Sequence, residues 1–246
     1  MPPVTGSSAA PAERPAANDY DSFAEAYSAE NEVSLANAYY ERPATLALAG
    51  DVAGRRILDV GCGSGPLFAA LRDRGAIVTG FDSSTGMLEL ARRRLGPDAD
   101  LRVADLGRPL PFPDAAFDDV IASLVLHYLE DWTAPLAELR RVLRPGGRLI
   151  ASVMHPILGH GLVRPGADYW ATHQWDDENS WGVLRYWHRP LPAMISSFTT
   201  AGFRIAAIDE PLPAPDAPRE LLPDFLKDKP PGSGFLCFMF FVLEAD

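Results

Sequence analysis

The sequence lacks the features typical of exported proteins, of proteins with structural metal sites and of membrane-spanning proteins. It has only two cysteines, Cys62 and Cys237, which exclude a disulfide framework and a Cys-x-x-Cys metal knuckle. No apolar run approaches the roughly 20 residues that a membrane helix needs. The N-terminus has no basic start followed by an apolar stretch, so we predict no secretory signal and expect a cytoplasmic protein without a membrane partner.

A basic stripe is also missing. The formal net charge is −11, and a surface of this sign repels the phosphates of nucleic acids. The three consecutive arginines at 92–94 are interpreted as one solvated helix face. Two histidines in HPILGH do not form a metal site, and we predict no metal. The expected partner is a small-molecule substrate, with the chain a monomer or a homodimer.

What remains is an ordinary globular composition, with 47% apolar and 22% charged residues in 246. Residues 1–17, rich in Pro, Ala and Ser, are predicted to be a disordered tail. Residues 18–246 are predicted to form a single domain, with two helices in 18–50 and an insertion over 155–190. The abundance of Ala, Arg and Pro is compatible with a high-GC bacterium.

Strand and helix patterns alternate through the middle of the chain. Apolar runs bounded by turn residues predict strands, and longer amphipathic segments predict helices. The predicted strands are 55–60, 76–81, 101–104, 117–123, 148–154, 203–208 and 235–243. The predicted helices are 66–74, 84–95, 133–143 and 191–201. This rhythm predicts an α/β fold with a mostly parallel sheet and helices on both faces.

A glycine loop follows the first predicted strand, in LDVGCGSG. Glycines permit a tight turn and close approach of backbone N–H groups to a ligand. Pro66 stands where a dinucleotide-binding GxGxxG needs its last glycine, which disfavours a nicotinamide enzyme. Asp82 and Asp105 follow the second and third strands, where a ribose and an adenine amino group could be bound. Ligands of such sheets lie at the carboxyl ends of the strands.

Five ordered segments carry a resemblance to a known family. ILDVGCGSG, FDSS-GML, VADL, FDDVIASLVLHYL and LRPGGRL resemble the motifs of class I S-adenosylmethionine-dependent methyltransferases of the bacterial small-molecule type. YDSFAEAY resembles the family's lid helix. The resemblance implies a Rossmann-like seven-stranded sheet of order 3-2-1-4-5-7-6 with strand 7 antiparallel, N-terminal lid helices and a cap insertion after strand 5. It also implies S-adenosylmethionine as cofactor and S-adenosylhomocysteine as product.

The resemblance also implies roles for individual residues. The glycines should line the methionine portion, Asp59 should face its amino group, and Asp82 should hold the ribose. The implied cofactor-binding residues are Tyr20, Tyr27, Asp59, Gly61, Cys62, Gly63, Gly65, Asp82, Ser83, Met87, Asp105, Leu106 and Ser123. Three simpler interpretations stay open: Asp82 as a helix N-cap, Asp105 as a turn residue and Cys62 as a loop filler.

Two histidines stand where a catalytic base could lie. His127 follows the fourth strand and His155 the fifth, both at the ligand-binding edge of this sheet type. A base is needed only when the acceptor loses a proton. The alternatives are a structural His127 packed near the cofactor and a His155 that merely caps its strand.

The insertion is rich in aromatic residues, which suit an aromatic or apolar acceptor. Its predicted substrate-binding residues are Tyr169, Trp170, Trp175 and Trp187, with Tyr39 and Arg42 expected on the opposite wall. The alternative is that these rings form the core of the cap.

The leading functional hypothesis is methyl transfer to a small molecule, with an aromatic or apolar secondary metabolite as the expected class. An S-adenosylmethionine-binding enzyme without methyl transfer and a non-catalytic binding protein with this fold are the alternatives. The chain has Ser123-Leu124-Val125-Leu126 where enzymes that methylate nucleobase or glutamine nitrogens carry an Asn/Asp-Pro-Pro-Tyr sequence, which disfavours those substrates.

Overall fold

The computed structural model describes residues 18–158, 166–179, 182–230 and 233–246. The predicted disordered tail, 1–17, lies outside the described residues. The strands are β1 (Arg56–Val60), β2 (Ile77–Asp82), β3 (Asp100–Val103), β4 (Phe117–Ser123), β5 (Leu143–Met154), β6 (His173–Glu178), β7 (Val183–His188), β8 (Phe203–Asp209) and β9 (Phe238–Ala245).

Seven of these strands form one sheet in the order β3-β2-β1-β4-β5-β9-β8. The pairings among β1 to β5 are parallel, while β9 runs antiparallel to both β5 and β8. This confirms the expected order, because β8 and β9 are the sixth and seventh strands of the sheet. The inserted β6 and β7 pair only with each other, as an antiparallel hairpin.

Helices cover both faces of the sheet. They are α1 (Tyr20–Val33), α2 (Arg42–Ala49), α3 (Pro66–Asp73), α4 (Thr85–Leu95), α5 (Thr133–Val142), α6 (Pro156–Leu158), α7 (Leu191–Thr200) and α8 (Asp224–Lys227). A π-helical turn, Asn37–Glu41, runs directly into α2. Within the described ranges, no helix has the length and apolar character to cross a bilayer.

The alternation of side chains along β1 divides the core into two layers. Leu58 and Val60 pack into one buried cluster with residues of α5 and α7, while Ile57 packs into the other with residues of α3 and α4. Successive strand residues point to opposite faces, so a strand buried on both sides must be apolar nearly throughout. Burial on both faces fixes the position of β1 within the sheet, and therefore the position of the glycine loop that follows it.

The 155–190 insertion contributes a hairpin that packs against α1. Trp175, Leu184 and Tyr186 of the hairpin form a buried cluster with Phe23 of α1. Asn18 extends this contact, since its backbone N–H donates to the Val183 carbonyl at 3.0 Å and its Oδ1 accepts from the Arg185 N–H at 2.8 Å. The hairpin and the N-terminal helix therefore form one continuous cover over the edge of the sheet.

Helix α1 is also fastened to α4. The Asp21 carboxylate accepts from the Gly86 N–H and from the Ser84 hydroxyl, both at 2.7 Å. Arg94 of α4 pairs with Glu32 at 2.7 Å. A carboxylate at the N-terminus of α4 is favoured by the helix dipole. These contacts place α1 across the carboxyl ends of β1 and β2.

Candidate cofactor site

The glycine loop turns sharply between β1 and α3. Gly61, Gly63 and Gly65 have φ values of 62°, 54° and 81°, a left-handed conformation that L side chains rarely adopt. A Cβ at Gly61 would lie 2.6 Å from Cγ2 of Val125, so the close approach there also requires glycine. Pro66 then begins α3, where its missing N–H costs nothing.

Asp82, at the end of β2, holds this loop. Its Oδ2 accepts from the Gly63 N–H and its Oδ1 from the Ser84 N–H, both at 2.9 Å. Burial raises the pKa of the carboxyl, while the N–H bonds oppose that rise. The N-cap of α4 is Ser84, whose hydroxyl accepts from the Met87 N–H at 3.0 Å, and not Asp82. Carboxylate oxygens have lone pairs beyond those used by two N–H groups, so Asp82 can still bind hydroxyls.

Asp59, on β1 beneath the loop, is a buried carboxyl group with an oxygen that has no hydrogen-bond partner among the described residues. It is 1% exposed, and its Oδ2 has no hydrogen-bond partner among the described residues. Burial, followed by the negative charges of Glu41 and Asp82, raises its pKa to about 8. An unpaired buried acid is costly, and a bound cation would offset that cost.

A cavity of about 220 Å³ lies above the loop. All but one of the residues implied for cofactor binding line it: Tyr20, Tyr27, Asp59, Gly61, Cys62, Gly63, Asp82, Ser83, Met87, Asp105, Leu106 and Ser123. Gly65 does not line the cavity. It packs toward α4 instead, where a Cβ would lie 2.9 Å from Cδ1 of Leu95.

Asp105 lies at the other end of the cavity, after β3. Its Oδ1 accepts from the Gly107 N–H at 2.8 Å, so it is also a turn residue. Its side chain is about half exposed, and the neighbouring Leu106 is buried. The carboxylate and the apolar side chain together can bound a flat heteroaromatic ring with an exocyclic amino group.

Tyrosine hydroxyls lie on the lid side of the cavity. The Tyr20 and Tyr128 hydroxyl oxygens are 2.5 Å apart, joining α1 to the turn after β4. Burial raises the pKa of both phenols, so each remains a neutral hydrogen-bonding group at physiological pH. With Tyr27, Val125 and Leu129 they form a wall that is apolar except for its hydroxyl groups.

The two predicted catalytic histidines do not reach this cavity. His127 is 3% exposed, its Nδ1 accepts from the Met154 N–H at 3.1 Å, and its ring packs on Tyr128 and Tyr186. His155 is 1% exposed and its Nε2 lies 2.8 Å from Glu210 Oε1. Both line a separate small hollow beneath the hairpin. Because neither histidine lines the cavity above the glycine loop, the geometry favours the structural alternative for each.

We expect His127→Asn to reduce the acid sensitivity of the fold without weakening ligand binding. Burial lowers the pKa of His127 to about 3, so the folded chain excludes a proton that the unfolded chain binds below about pH 6.5. Stability present above that pH is therefore lost as the pH falls toward 3, by about 1.4 kcal/mol per pH unit. Urea unfolding at pH 6.5 and 5.0 measures this. An unchanged pH slope in the variant would exclude His127 as the source.

Most of the predicted substrate-binding residues also lie away from the cavity. Trp175 is buried in the hairpin cluster, Trp187 lines the small hollow, and Trp170 is 72% exposed. The Tyr169 hydroxyl accepts from the Leu191 N–H, and the Tyr39 carbonyl accepts from the Ala214 N–H. Trp175 follows the alternative that the rings form the core of the cap, whereas Trp170 is largely exposed. Among the predicted substrate-binding residues, Arg42 alone lines the cavity.

Several cavity residues were not anticipated from the sequence, and three of them carry polar groups that matter for ligand binding. Glu41, Asn31 and Tyr128 all line the wall. Glu41 stands four residues before Thr45, and this helical spacing of a carboxylate and a hydroxyl was the available signal. Tyr128 directly follows His127, and the 3₁₀ turn at Leu126–Tyr128 directs the tyrosine, rather than the histidine, to the cavity. In the described ranges, no three His, Cys, Asp or Glu side chains are arranged to hold a metal ion.

Comparisons with known proteins identify the family to which the matched part of the chain is similar. The family described as "Methyltransferase domain" matches residues 58–151. A demethylmenaquinone methyltransferase from Clavibacter sepedonicus is 41% identical over 133 residues, 53% of this chain and 54% of that protein. A malonyl-[acyl-carrier protein] O-methyltransferase from Serratia marcescens is 40% identical over 117 residues, 48% of this chain and 44% of that protein. The chain thus spans about half the length of these curated relatives.

A solved structure extends the similarity over most of the chain. An S-adenosylmethionine-dependent methyltransferase from Mesorhizobium loti has a TM-score of 0.66 and 29% identity, covering 82% of this chain and 96% of that one. The matched residues 58–151 include the end of β1, the glycine loop, Asp82 and Asp105. The matched residues therefore form a methyltransferase domain of the class I S-adenosylmethionine-dependent type, and S-adenosylmethionine is the cofactor of that family.

Proposed function

We propose that this chain binds S-adenosylmethionine in the cavity above the glycine loop and transfers its methyl group to a small organic acceptor. The observation that carries the proposal is the unpaired, buried Asp59 carboxylate beside a loop that Asp82 holds open. S-adenosylmethionine carries two positive charges, an ammonium and a sulfonium, and one carboxylate. Its charges complement a cavity lined by Glu41, Asp59, Asp82 and Asp105.

The residues present fit the parts of this cofactor. The glycine loop and Asp59 suit the amino-acid end, Asp82 suits the vicinal hydroxyls of the ribose, and Asp105 with Leu106 suits the adenine. Bound there, the cofactor supplies a methyl group that is already electrophilic. The protein then has to align the acceptor with the sulfur–methyl bond and exclude water, and such positioning can lower a barrier by about 7–11 kcal/mol at most.

The tyrosine wall is the part of the cavity suited to an acceptor. Tyr20, Tyr27 and Tyr128 offer ring faces and neutral hydroxyls, while Val125 and Leu129 exclude water. An aromatic or largely apolar acceptor with one polar group matches this wall. The curated relatives are named as a demethylmenaquinone methyltransferase and a malonyl-[acyl-carrier protein] O-methyltransferase. The charge of −11 opposes a polyanionic substrate.

Titration calorimetry with S-adenosylhomocysteine tests the cofactor part of the proposal. We expect binding at pH 7 to release about one proton, because Asp59, whose pKa is about 8, must ionise to pair with the ligand's ammonium group. The release is obtained from heats measured in buffers of different ionisation enthalpy, and it should vanish in Asp59→Asn. Binding without proton release at pH 7 would contradict the assigned orientation.

Transfer of label from S-adenosylmethionine with a ¹⁴C-labelled methyl group tests the reaction itself. We expect organic-extractable label with a panel of catechols, naphthoquinols and small carboxylic acids. Tight S-adenosylhomocysteine binding with no transfer to any of them would favour an enzyme that uses the cofactor without methyl transfer.

A further inference from the structure

Two adjacent residues of opposite charge enter the cavity from its N-terminal side. Glu41 ends the π-helical turn and Arg42 begins α2, and both line the cavity opposite the glycine loop. Short π-helical segments are rare and frequently occur at functional sites. The family match begins only at residue 58, so it does not extend to this pair.

Hydrogen bonds fix one carboxylate oxygen of Glu41 and leave the other available to a ligand. The residue is 4% exposed, and its Oε1 accepts from the hydroxyls of Thr45 and Ser152, each at 2.7 Å. Within the part of the chain that the structure describes, its Oε2 accepts no hydrogen bond. Its negative charge reaches Asp59, where it helps to raise the pKa of that carboxyl. Glu41 and Asp59 are therefore two neighbouring carboxylates without a cation between them.

Arg42 is likewise held by a neutral partner. One terminal nitrogen donates to the Asn31 carbonyl at 3.0 Å and to Asn31 Oδ1 at 2.6 Å. Burial lowers the pKa of this arginine, and the negative charges of Glu32 and Glu41 oppose that fall only in part. The other N–H groups of the fork donate to no acceptor among the described residues, and a guanidinium is suited to bidentate binding of a carboxylate.

The charges of Glu41 and Arg42 interact, but the two side chains do not form an ion pair with each other. Hydroxyl groups hold Glu41 and an asparagine holds Arg42, and no ion pair joins the two side chains in the described structure. An anion and a cation kept apart in one cavity are complementary to a zwitterion. The α-amino-acid end of the cofactor is such a group, with an ammonium and a carboxylate on one carbon.

We propose that Glu41 and Asp59 together bind the α-ammonium of the cofactor, while Arg42, oriented by Asn31, binds its α-carboxylate. This inference rests on the proposed function only in requiring that the cofactor occupies the cavity. The inference assigns Arg42 to cofactor binding, whereas the sequence predicted Arg42 to be a substrate-binding residue. The N-terminal π-helical turn then contributes directly to cofactor binding, as well as covering the site.

The test compares two ligands that differ only in the amino-acid portion. S-adenosylhomocysteine carries it, and 5′-methylthioadenosine lacks it while keeping the adenine, ribose and thioether. We expect Glu41→Gln and Arg42→Met each to weaken S-adenosylhomocysteine binding by about 10- to 100-fold, the effect of losing a hydrogen bond to a charged group. Binding of 5′-methylthioadenosine should change by less than about twofold.

Matched controls remove one exposed charge of each sign. Glu89 and Arg93 are exposed residues of α4, Arg93 pairing with the exposed Glu25, and Glu89→Gln and Arg93→Met should leave both affinities unchanged. Glu41→Gln keeps an oxygen for Thr45 and Ser152, and thermal melting checks its fold. If Glu41→Gln does not fold, Arg42→Met and Arg42→Lys test the proposal. Arg42→Lys should then recover part of the S-adenosylhomocysteine affinity that Arg42→Met loses.

The outcomes separate the two proposals. Equal weakening of both ligands, or unchanged binding of S-adenosylhomocysteine, would overturn the role of Glu41 and Arg42. If the wild-type chain bound neither ligand, the proposed function itself would fail. Wild-type binding of both with a ratio that these variants preserve would overturn only the zwitterion site.

Discussion

Asp82→Ala is expected to weaken S-adenosylhomocysteine binding by about 100-fold or more. The substitution removes the acceptor of the Gly63 and Ser84 N–H groups, so the loop loses its support while the ligand loses its ribose partner. Each buried polar group left without a partner costs about 1–3 kcal/mol, and 1.4 kcal/mol is tenfold in affinity. Titration calorimetry measures the binding, and thermal melting should show a parallel loss of stability.

Asp82→Asn and Asp98→Ala are the controls for this prediction. The amide introduced by Asp82→Asn has one acceptor oxygen for two N–H groups, so we expect an intermediate effect. Asp98 is exposed and does not line the cavity, so Asp98→Ala should have no effect on the affinity. Wild-type affinity in Asp82→Ala would exclude the ribose assignment.

Asp119→Ala is expected to destabilise the fold by about 3–5 kcal/mol, the range for removing one partner of a buried ion pair. The Asp119 side chain is fully buried at the amino end of β4. It accepts from Arg55 at 2.5 and 2.7 Å and from Arg148 at two positions, both 2.9 Å, joining the starts of β1, β4 and β5. Its loss leaves two adjacent guanidinium groups without an anion. Urea unfolding at pH 7 measures the change.

The same ion cluster sets a pH dependence. Its arginines hold the pKa of Asp119 below the ordinary value, so the stability it contributes is present above about pH 4 and is lost as the pH falls through the lowered pKa. The surface pair Asp100–Arg102 is the comparison, and Asp100→Ala should cost less than about 1 kcal/mol. Asp119 lies at the opposite end of the sheet from the cavity, so S-adenosylhomocysteine affinity should stay within about twofold. A loss below about 1 kcal/mol in Asp119→Ala would contradict this interpretation of the cluster.

The sheet was predictable because its signals are local. β4 lies where predicted, over 117–123, and β1 and β2 differ by one residue at their ends, since apolar runs ending in Gly or Asp leave little choice of strand. β5 begins earlier than predicted, at Leu143, because Leu143 already pairs with Phe117 across a bulge before the regular register begins at Arg148. The hairpin β6–β7 was not predicted, because its acidic and aromatic residues were interpreted together as an irregular cap.

The glycine-loop side of the cavity followed from the sequence, since β1 and β2 bring Asp59, Gly63 and Asp82 to one edge. The tyrosine wall did not follow, because its residues come from turns and a helix whose orientation depends on packing. His127 and Tyr128 are adjacent, yet the histidine packs beneath the hairpin and the tyrosine meets Tyr20 over the cavity. Trp175 and Trp187 similarly lie on opposite faces of the hairpin, an arrangement that composition alone does not predict.

A crystal structure of the chain with S-adenosylhomocysteine gives the most direct check of this site. We expect the ribose hydroxyls within hydrogen-bonding distance of the Asp82 carboxylate, the ammonium facing Asp59 and the sulfur at the carboxyl end of β4. Density for the ligand elsewhere on the molecule, or in the cavity with the adenine against the glycine loop, would contradict the proposed binding mode.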